Sequence, residues 1–222
     1  MRVPGWAVRD GRVLRTDPPE SRTLVRVRTG VGLQRARNCA RDLPAWPFDA
    51  AVLGGFAGSL EEGLPSGSLF VADRVSNASG KCLVPPLVAS LEACARRAGL
   101  PVQRGTLVSV ADVVSDPRAK RRLAAEQGAR AVDMESFALA EVLADRGIDF
   151  GIARVVLDGV SESLPAGGNA RSAFVEITRS RSFSALASMV RIGARLRPCA
   201  RLGARFLEAW LHEANPGDSS TR

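Results

Sequence analysis

Residues 131–160 have the sequence AVDMESFALAEVLADRGIDFGIARVVLDGV, which contains the clearest secondary-structure pattern in the chain. Residues 131–134 are strand-like, and Glu135 begins a helical segment whose apolar side chains recur at helical spacing. Gly147 ends that segment, and residues 150–157 form a second apolar strand that stops at Asp158. A strand–helix–strand unit of this length predicts a right-handed crossover that joins two parallel strands.

Similar patterns continue outward from this unit and predict an α/β fold of stacked layers. Strands are expected at residues 25–28, 50–53, 69–72 and 106–110. Helices are expected at residues 33–43 and within residues 83–100. Two glycine-rich segments, residues 29–32 and 54–58, follow the first two of these strands and are expected to form turns. A further helix is expected to begin at residues 115–117, where a capping side chain precedes a proline. Residues 6–14 are expected to form a short hairpin.

The composition of the 222 residues limits the class of protein. Hydrophobic residues make up 45% of the chain, which excludes a disordered polymer, and no uncharged apolar run reaches the roughly 18–20 residues of a membrane-spanning helix. The first residues lack the apolar segment of a signal peptide, so we expect a cytoplasmic protein. Four scattered cysteines and a single histidine, His212, argue against a zinc site and against a Ser-His-Asp mechanism. We therefore expect no metal and no cofactor, and chemistry that is carried by carboxylates.

The positive charge is concentrated near the C-terminus. Residues 177–207 contain seven arginines and no acidic residue, so they hold nearly all of the formal net charge of +8. Several of these arginines are four residues apart, and Pro198 interrupts the apolar side of the same helical pattern. Two interpretations stay open: a basic amphipathic helix that lies on an anionic membrane surface, or an ordinary C-terminal helix packed on the domain of an arginine-rich chain. Nucleic-acid binding is not expected, because aromatic side chains that stack on bases are scarce.

Two carboxylates, Glu135 and Asp158, each follow a strand of the same crossover unit. If both strands run in the same direction, both side chains lie at the carboxyl edge of the sheet, where open α/β folds bind their ligands. The glycine segments 29–32 and 54–58 are expected to face the same crevice, since glycine lets backbone N–H groups approach a polar ligand closely. The sequence therefore predicts one site that combines two acids with two glycine segments.

The segment 131–160 resembles the nucleoside phosphorylase and nucleosidase superfamily, which includes purine nucleoside phosphorylase and methylthioadenosine/S-adenosylhomocysteine nucleosidase. The matching residues are the pair Met134-Glu135 and the run from Arg154 to Asp158. The segments TGVG at 29–32 and GGFAGSL at 54–60 are similar to the two glycine segments of that family. The resemblance, over about residues 25–160, implies a three-layer fold with a central mixed, largely parallel twisted sheet flanked by helices. We expect residues 1–175 to form this domain and residues 176–222 to form a basic, amphipathic helical extension packed on it.

The resemblance also implies a role for each matching residue. Glu135 is expected to accept hydrogen bonds from ribose hydroxyls, Met134 to pack against the sugar, and Asp158 to contact N7 and the exocyclic amine of a purine. Since adenine is a poor leaving group as an anion, a carboxylic acid kept protonated by burial can protonate N7 as the glycosidic bond stretches. Arg154 either holds Glu135 in its charged form or closes a structural ion pair, and Asp133 is expected to be structural. Further contacts are expected to the substrate at Gly55, Phe56, Ala57 and Gly58, and to phosphate or water at Gly30 and Gly32.

The chain departs from the family pattern in three places. Family members open with an apolar strand, a glycine turn and, in the nucleosidases, a glutamate that activates water, whereas this chain has the hairpin-like residues 6–14. Either the sequence starts downstream of the natural start, or another residue supplies the base, or the activity is weakened. Phe56 replaces a small polar residue, and the phosphate-binding arginine of the phosphorylases is absent near the second glycine segment. Val156-Leu157 replaces an Ile-Ser pair before the acid, so we expect a more apolar pocket.

The VDMES sequence at residues 132–136, together with the basic C-terminal segment, resembles the hopanoid-associated phosphorylases. That branch implies release of adenine from adenosylhopane, a nucleoside whose 5′ substituent is a polycyclic lipid, by an enzyme held peripherally at the inner membrane. The alternatives are a soluble methylthioadenosine/S-adenosylhomocysteine nucleosidase, a futalosine-type hydrolase, and a catalytically weak nucleoside-binding protein. Water and phosphate both stay open as the group that attacks the sugar. The resemblance also implies a homo-oligomer, a dimer or larger.

Overall fold

The computed structural model describes residues 6–9, 12–15, 27, 29–42, 50–163 and 183–214. Its strands are β1 (Trp6–Arg9), β2 (Arg12–Arg15), β3 (Ala50–Ser59), β4 (Leu69–Asn77), β5 (Cys82–Leu83), β6 (Val102–Ser109), β7 (Ala131–Asp133) and β8 (Asp149–Asp158). Its helices are α1 (Leu33–Arg41), α2 (Val88–Arg97), α3 (Pro117–Gln127), α4 (Ser136–Asp145) and α5 (Phe183–Ala214). The strand expected at residues 25–28 lies outside the described residues except for Val27, and the domain boundary expected at residue 175 lies outside them entirely.

Two local sequence signals give the structures expected of them. β1 and β2 pair antiparallel, which confirms the N-terminal hairpin. At the start of α3, the side chain of Asp116 accepts a hydrogen bond from the backbone N–H of Ala119 at 2.8 Å. Gly128 ends the same helix in the left-handed conformation, with φ of 59°. The expected start of this helix is therefore confirmed.

The main sheet of the described residues has the strand order β5-β4-β6-β7-β3-β8. Its long ladders, β3 with β8 and β4 with β6, are parallel, whereas β3 with β7 and β4 with β8 are short antiparallel ladders. Because β4 also pairs with β8, the sheet curves back on itself. This architecture confirms the expected α/β fold with a mixed, largely parallel sheet.

Helices cover both faces of this sheet. Side chains alternate between the faces along each strand, so Phe70 and Ile152 join one core with α4, while Val71 and Val155 join a second core with α2 and α5. Since a slip of one residue would exchange the two sets of side chains, this packing fixes the register of β4 and β8. The ends of the strands, and the polar residues that follow them, are thereby held in place.

The expectation that β7 and β8 run parallel is wrong. β3 lies between them in the sheet, parallel to β8 and antiparallel to β7. Gly58 of β3 is opposite Val132 in β7 and Asp158 in β8. The sequence of the crossover unit cannot reveal this arrangement, because the intervening strand comes from a distant part of the chain.

The expected turn at residues 54–58 is also wrong, because these residues belong to β3. The pairing of β3 with β8 shifts register between Ala57 and Gly58, which bends β3. The last two residues of β3, Gly58 and Ser59, also pair with β7. Glycine in a strand interior often marks such a bend or the close approach of another group. Both occur in this strand.

α5 is a continuous helix through Pro198, so the expected interruption at that residue is wrong. Cys199 and Phe206 are buried in the core that α5 shares with α2 and the sheet. We attribute the continuity to this packing, which offsets the roughly 3 kcal/mol that a proline costs inside a helix.

Three arginines of α5 lie on its exposed side. Arg197, Arg201 and Arg205 are exposed, as is Leu196 at 44%. Cys199, Leu202 and Phe206 are among the side chains of the helix that pack in the core with the sheet and α2. Within the described part of the chain, no helix combines the length and the apolar character that crossing a bilayer requires.

Candidate active site

A cavity of about 350 Å³ lies where β3, β7 and β8 meet. It is also bounded by residues 29–31 before α1 and by the segment that follows β6. The residues expected from the sequence that line it are Gly30, Gly55, Phe56, Ala57, Gly58, Met134, Glu135, Arg154 and Asp158. Gly32 is not in the lining, but it contacts Glu135. The structure therefore brings the two carboxylates and both glycine segments to one space, through a topology that differs from the expected one.

Glu135 lies between the end of β7 and the first residue of α4, with its carboxylate at the cavity. The backbone N–H of Gly32 donates a hydrogen bond to Oε1 at 2.6 Å, which ties the glycine turn before α1 to this side chain. Among the described residues, no group donates a hydrogen bond to Oε2. The N-terminal end of α4 also stabilises negative charge at this position. Glu135 is thus held through one oxygen and can offer the other to a ligand.

Arg154 closes a structural ion pair, which is the second of the two alternatives for this residue. Its Nη2 lies 2.8 Å from Oδ2 of Asp133, and Nε and Nη2 donate to Oγ of Ser136 at 3.1 and 2.7 Å. Asp133 also accepts a hydrogen bond from Oγ of Ser109 at 2.6 Å. Arg154 and Asp133 are both buried. This network fixes the turn that carries Met134 and Glu135, and Asp133 has the structural position expected from the sequence.

Gly55 is required by the approach of Arg154. Its φ is +153°, and a Cβ atom at this position would lie 2.0 Å from Nη1 of Arg154. Nη1 also donates a hydrogen bond to the carbonyl oxygen of Gly54 at 3.0 Å, so the guanidinium rests directly on the backbone of β3. A larger residue here would displace the ion pair that supports the cavity.

Asp158 is the last residue of β8 and is 5% exposed. A Cβ atom on Gly58 would lie 3.1 Å from Oδ2 and 3.2 Å from Oδ1, so glycine leaves the space that the carboxyl occupies. Burial raises the pKa of Asp158 above its ordinary value, and the ammonium of Lys120 opposes that rise without cancelling it. The side chain thus has the environment expected of a carboxylic acid that binds its proton tightly.

Lys120 is a residue that the sequence analysis missed. It lies on α3, is fully buried, and its Nζ is 2.5 Å from Oδ2 of Asp158. The run AKRR that contains it is typical of a solvated helix face. One signal was available, because this is one of only two lysines in a chain with 31 basic residues.

The rest of the lining is mostly apolar, and part of it was also missed. The apolar side chains in the lining are Val31, Phe56, Ala57, Val110, Val113, Val114, Val132, Met134 and Leu157. The three valines of residues 110–114 follow β6, and the sequence analysis did not place that segment at the site. Val31 is 66% exposed, so it forms part of the rim.

Comparison with known proteins gives the same fold. The sequence model described as the phosphorylase superfamily matches residues 20–191. The structure resembles Helicobacter pylori 5′-methylthioadenosine/S-adenosylhomocysteine nucleosidase in complex with a pyrrolidine compound, with a TM-score of 0.73 and 17% identity over 94% of this chain and 88% of that chain. The futalosine hydrolase of the same organism gives a TM-score of 0.73 and 18% identity over 94% of this chain and 87% of that chain.

A third similar structure is the 5′-methylthioadenosine/S-adenosylhomocysteine nucleosidase of Neisseria meningitidis in complex with methylthio-immucillin-A. Its TM-score is 0.66, with 18% identity over 84% of this chain and 80% of that chain. No protein of curated function matches the sequence significantly.

Proposed function

The chain belongs to the phosphorylase superfamily, and on this premise we propose that it cleaves the N-glycosidic bond of an adenosine derivative and releases adenine. The observation that carries the proposal is that Glu135, Asp158 and the glycine backbone of β3 line the same cavity. Structures named as nucleosidases and as a futalosine hydrolase share the fold, which supports the same class of reaction.

Asp158 is the proposed general acid. As the bond between C1′ and N9 stretches, its electron pair moves onto adenine and the sugar becomes an oxocarbenium-like cation. A neutral Asp158 carboxyl gives its proton to N7, so adenine leaves as a neutral base and not as an anion. The raised pKa of Asp158 favours the protonated form that this step uses.

Glu135 is the proposed ribose ligand. Gly32 occupies Oε1, and Oε2 can accept a hydrogen bond from a ribose hydroxyl. The negative charge of the carboxylate also stabilises the positive charge that develops on the sugar. Met134 lines the cavity next to Glu135 and is expected to pack against the same sugar.

The charges of the cavity favour water over phosphate as the attacking group. The charged side chains of its described lining are the acids Asp112, Asp133, Glu135 and Asp158 and the base Arg154. Because Arg154 is already paired with Asp133, an incoming phosphate would meet net negative charge. We therefore propose hydrolysis: the oxygen of water bonds to C1′, and the proton that it loses restores the acid form of Asp158 through solvent.

The apolar walls of the cavity support an apolar 5′ substituent on the substrate. Phe56, Leu157 and the valines of residues 110–114 surround the space, and Val31 extends the apolar surface to the rim. A substituent too long for the cavity could leave it along this edge. This observation favours the hopanoid side-chain reaction, in which adenosylhopane gives adenine and ribosylhopane, over the soluble methylthioadenosine/S-adenosylhomocysteine and futalosine reactions.

The outer side of α5 supports a peripheral contact with an anionic inner-membrane surface. Arg197, Arg201 and Arg205 are exposed, whereas Arg195 pairs with Glu162 at 2.6 Å. Among the described side chains of α5, Cys199, Leu202 and Phe206 pack in the core, so the proposed contact rests mainly on charge, at about 1 kcal/mol for each arginine near the surface. On the family resemblance we also expect a homo-oligomer, a dimer or larger.

The test is a substrate panel with the full chain. Adenosine, 5′-methylthioadenosine, S-adenosylhomocysteine, futalosine and an adenosine with a long 5′ hydrocarbon chain are incubated with and without phosphate. Chromatography and mass spectrometry measure the released base and the sugar product. We expect a free sugar at the same rate in both conditions, with the hydrocarbon-substituted substrate the fastest.

Each other outcome has a defined meaning. A sugar 1-phosphate would contradict hydrolysis and support phosphorolysis. Fastest cleavage of 5′-methylthioadenosine or of futalosine would favour the corresponding soluble nucleosidase. Tight binding of a nucleoside without release of base from any member of the panel would indicate the catalytically weak binding protein.

A further inference from the structure

Lys120 is buried behind the acid and outside the lining of the cavity. Its Nζ contacts Oδ2 of Asp158 at 2.5 Å and donates to the carbonyl oxygens of Gly159 and Glu162 at 2.8 and 3.0 Å. All three acceptors belong to the segment from the end of β8 to the turn that follows it. A fully buried ammonium with three oxygen acceptors is fixed in position, since losing any of them would leave a buried N–H donor of a charged group without a partner.

This arrangement treats the two carboxyl oxygens of Asp158 differently. Oδ2 is occupied by Lys120, whereas no described residue donates a hydrogen bond to Oδ1. The residue lines the cavity, so Oδ1 is the oxygen available to a ligand. On the proposed function, this is the oxygen that carries the proton for N7.

We propose that Lys120 is the positioning residue of the general acid. It holds Oδ2 of Asp158 and the turn that follows, so that Oδ1 faces the purine. Its ammonium also stabilises the carboxylate that is left after the proton has been transferred. The proton moves from Oδ1 to N7, and Lys120 keeps its three protons. As the C1′–N9 bond breaks, its electron pair stays with the base, so the products of the step are neutral adenine that carries the proton on N7, an oxocarbenium-like sugar, and an ion pair between Asp158 and Lys120. The inference rests on the proposed function for the identity of the proton acceptor.

Two other charged residues near Asp158 shift its pKa in opposite directions, so they do not replace Lys120. Glu162, in the turn, raises the pKa of Asp158, and Arg195, on α5, lowers it. Arg195 pairs with Glu162, whose Oε2 also accepts the backbone N–H of Gly159 at 3.2 Å. Lys120 is the nearest positive group, and its removal raises the pKa of Asp158 further.

The test compares Lys120→Met with Lys81→Met, which removes the other lysine of the chain. Lys81 is exposed and pairs with Glu141 on the surface, so its variant is the matched control. We expect Lys120→Met to lower kcat about 100-fold with little change in KM, and to move the alkaline limb of the rate to higher pH. An unchanged alkaline limb in a folded Lys120→Met protein would overturn the proposal.

A double-mutant cycle separates positioning from a merely structural role. In the Asp158→Asn background, Lys120→Met is expected to lower kcat less than threefold, because the group that Lys120 positions is already absent. An equal loss of activity in both backgrounds would overturn the proposal.

A measurement on the wild-type chain covers the case in which Lys120→Met does not fold. With 15N-labelled lysine, the chain gives signals from only two ammonium groups. We expect adenine to shift the Nζ signal of Lys120 and to leave that of Lys81 unchanged, and we expect Asp158→Asn to shift the Lys120 signal without any ligand. If the Nζ signal of Lys120 does not shift in the Asp158→Asn protein, the inference is overturned. If that signal shifts but the wild type releases no base from any nucleoside, only the proposed function is contradicted.

Discussion

Asp158→Asn removes one proton from the proposed mechanism and changes little else. Asparagine has nearly the same shape, and its carbonyl oxygen can still accept a hydrogen bond from Nζ of Lys120, which also keeps the carbonyl oxygens of Gly159 and Glu162. The amide cannot protonate N7. Since general acid catalysis contributes about 10²–10⁴-fold, we expect kcat to fall by that factor, or about 3–5 kcal/mol in activation free energy. KM should change little, because the proton is transferred only in the transition state.

The pH dependence of the same reaction has a definite sign. The active form is protonated Asp158, and burial raises its pKa, so the rate falls as pH rises through that pKa. The folded chain also binds this proton more tightly than the unfolded chain. This carboxyl therefore contributes stability that is fully present below the unfolded pKa and is lost as pH rises through the folded pKa. The Asp158→Asn protein should lack both effects.

The assay follows adenine release at several pH values for the wild type, Asp158→Asn and Asp149→Asn. Asp149 is the matched control, because it is an exposed aspartate at the opposite end of the same strand. Because the resting carboxyl is neutral and asparagine keeps an acceptor for Lys120, we expect the free energy of unfolding to fall by no more than about 1–3 kcal/mol. Calorimetry therefore accompanies the kinetics. A folded Asp158→Asn protein that retains a third of the wild-type kcat, or that keeps the wild-type pH profile, would refute the reasoning.

Three further predictions concern ribose binding, the backbone beside Arg154, and the outer side of α5. Glu135→Gln should lower kcat/KM about 10–100-fold, since it loses a charge-assisted hydrogen bond to the sugar. Removing the contacted ribose hydroxyl from the substrate should then cost the wild type much more than the variant, and an equal cost in both would argue against the role of Glu135. Gly55→Ala should lower the free energy of unfolding by at least about 2 kcal/mol in denaturant titrations, because its Cβ would lie 2.0 Å from Nη1 of Arg154, and unchanged stability would contradict this packing. Changing Arg201 and Arg205 to glutamate should weaken binding to anionic vesicles at least about 30-fold in a flotation assay, and equal recovery with the wild type would count against the membrane contact.

The elements of the fold could be predicted from the sequence because their signals are local. The strands and helices of residues 131–158 follow hydrophobic periodicity, and α3 begins at its capping aspartate as expected. The strand neighbours could not be predicted, since β3 enters between β7 and β8 from a distant part of the chain. The continuity of α5 through Pro198 likewise depends on tertiary packing and not on helix propensity.

The candidate site divides in the same way. Glu135, Asp158 and the two glycine segments could be named from motifs, and the structure brings them to one cavity. Lys120 could not be named from the sequence, because it is buried by the contact between α3 and the turn after Asp158. The spacing of apolar residues along α3 does not indicate that contact. The resemblance named Arg154 but left its role open. Its partner Asp133 became clear only when the geometry of the ion pair was known.

The most direct test of protonation at N7 by Asp158 uses a pair of substrates that differ at N7 alone. The rate of base release is measured for 5′-methylthioadenosine and for its 7-deaza analogue, in which carbon replaces the atom that is to be protonated. We predict that the analogue binds but is cleaved at least about 100-fold more slowly. Cleavage of both compounds at the same rate would contradict the account.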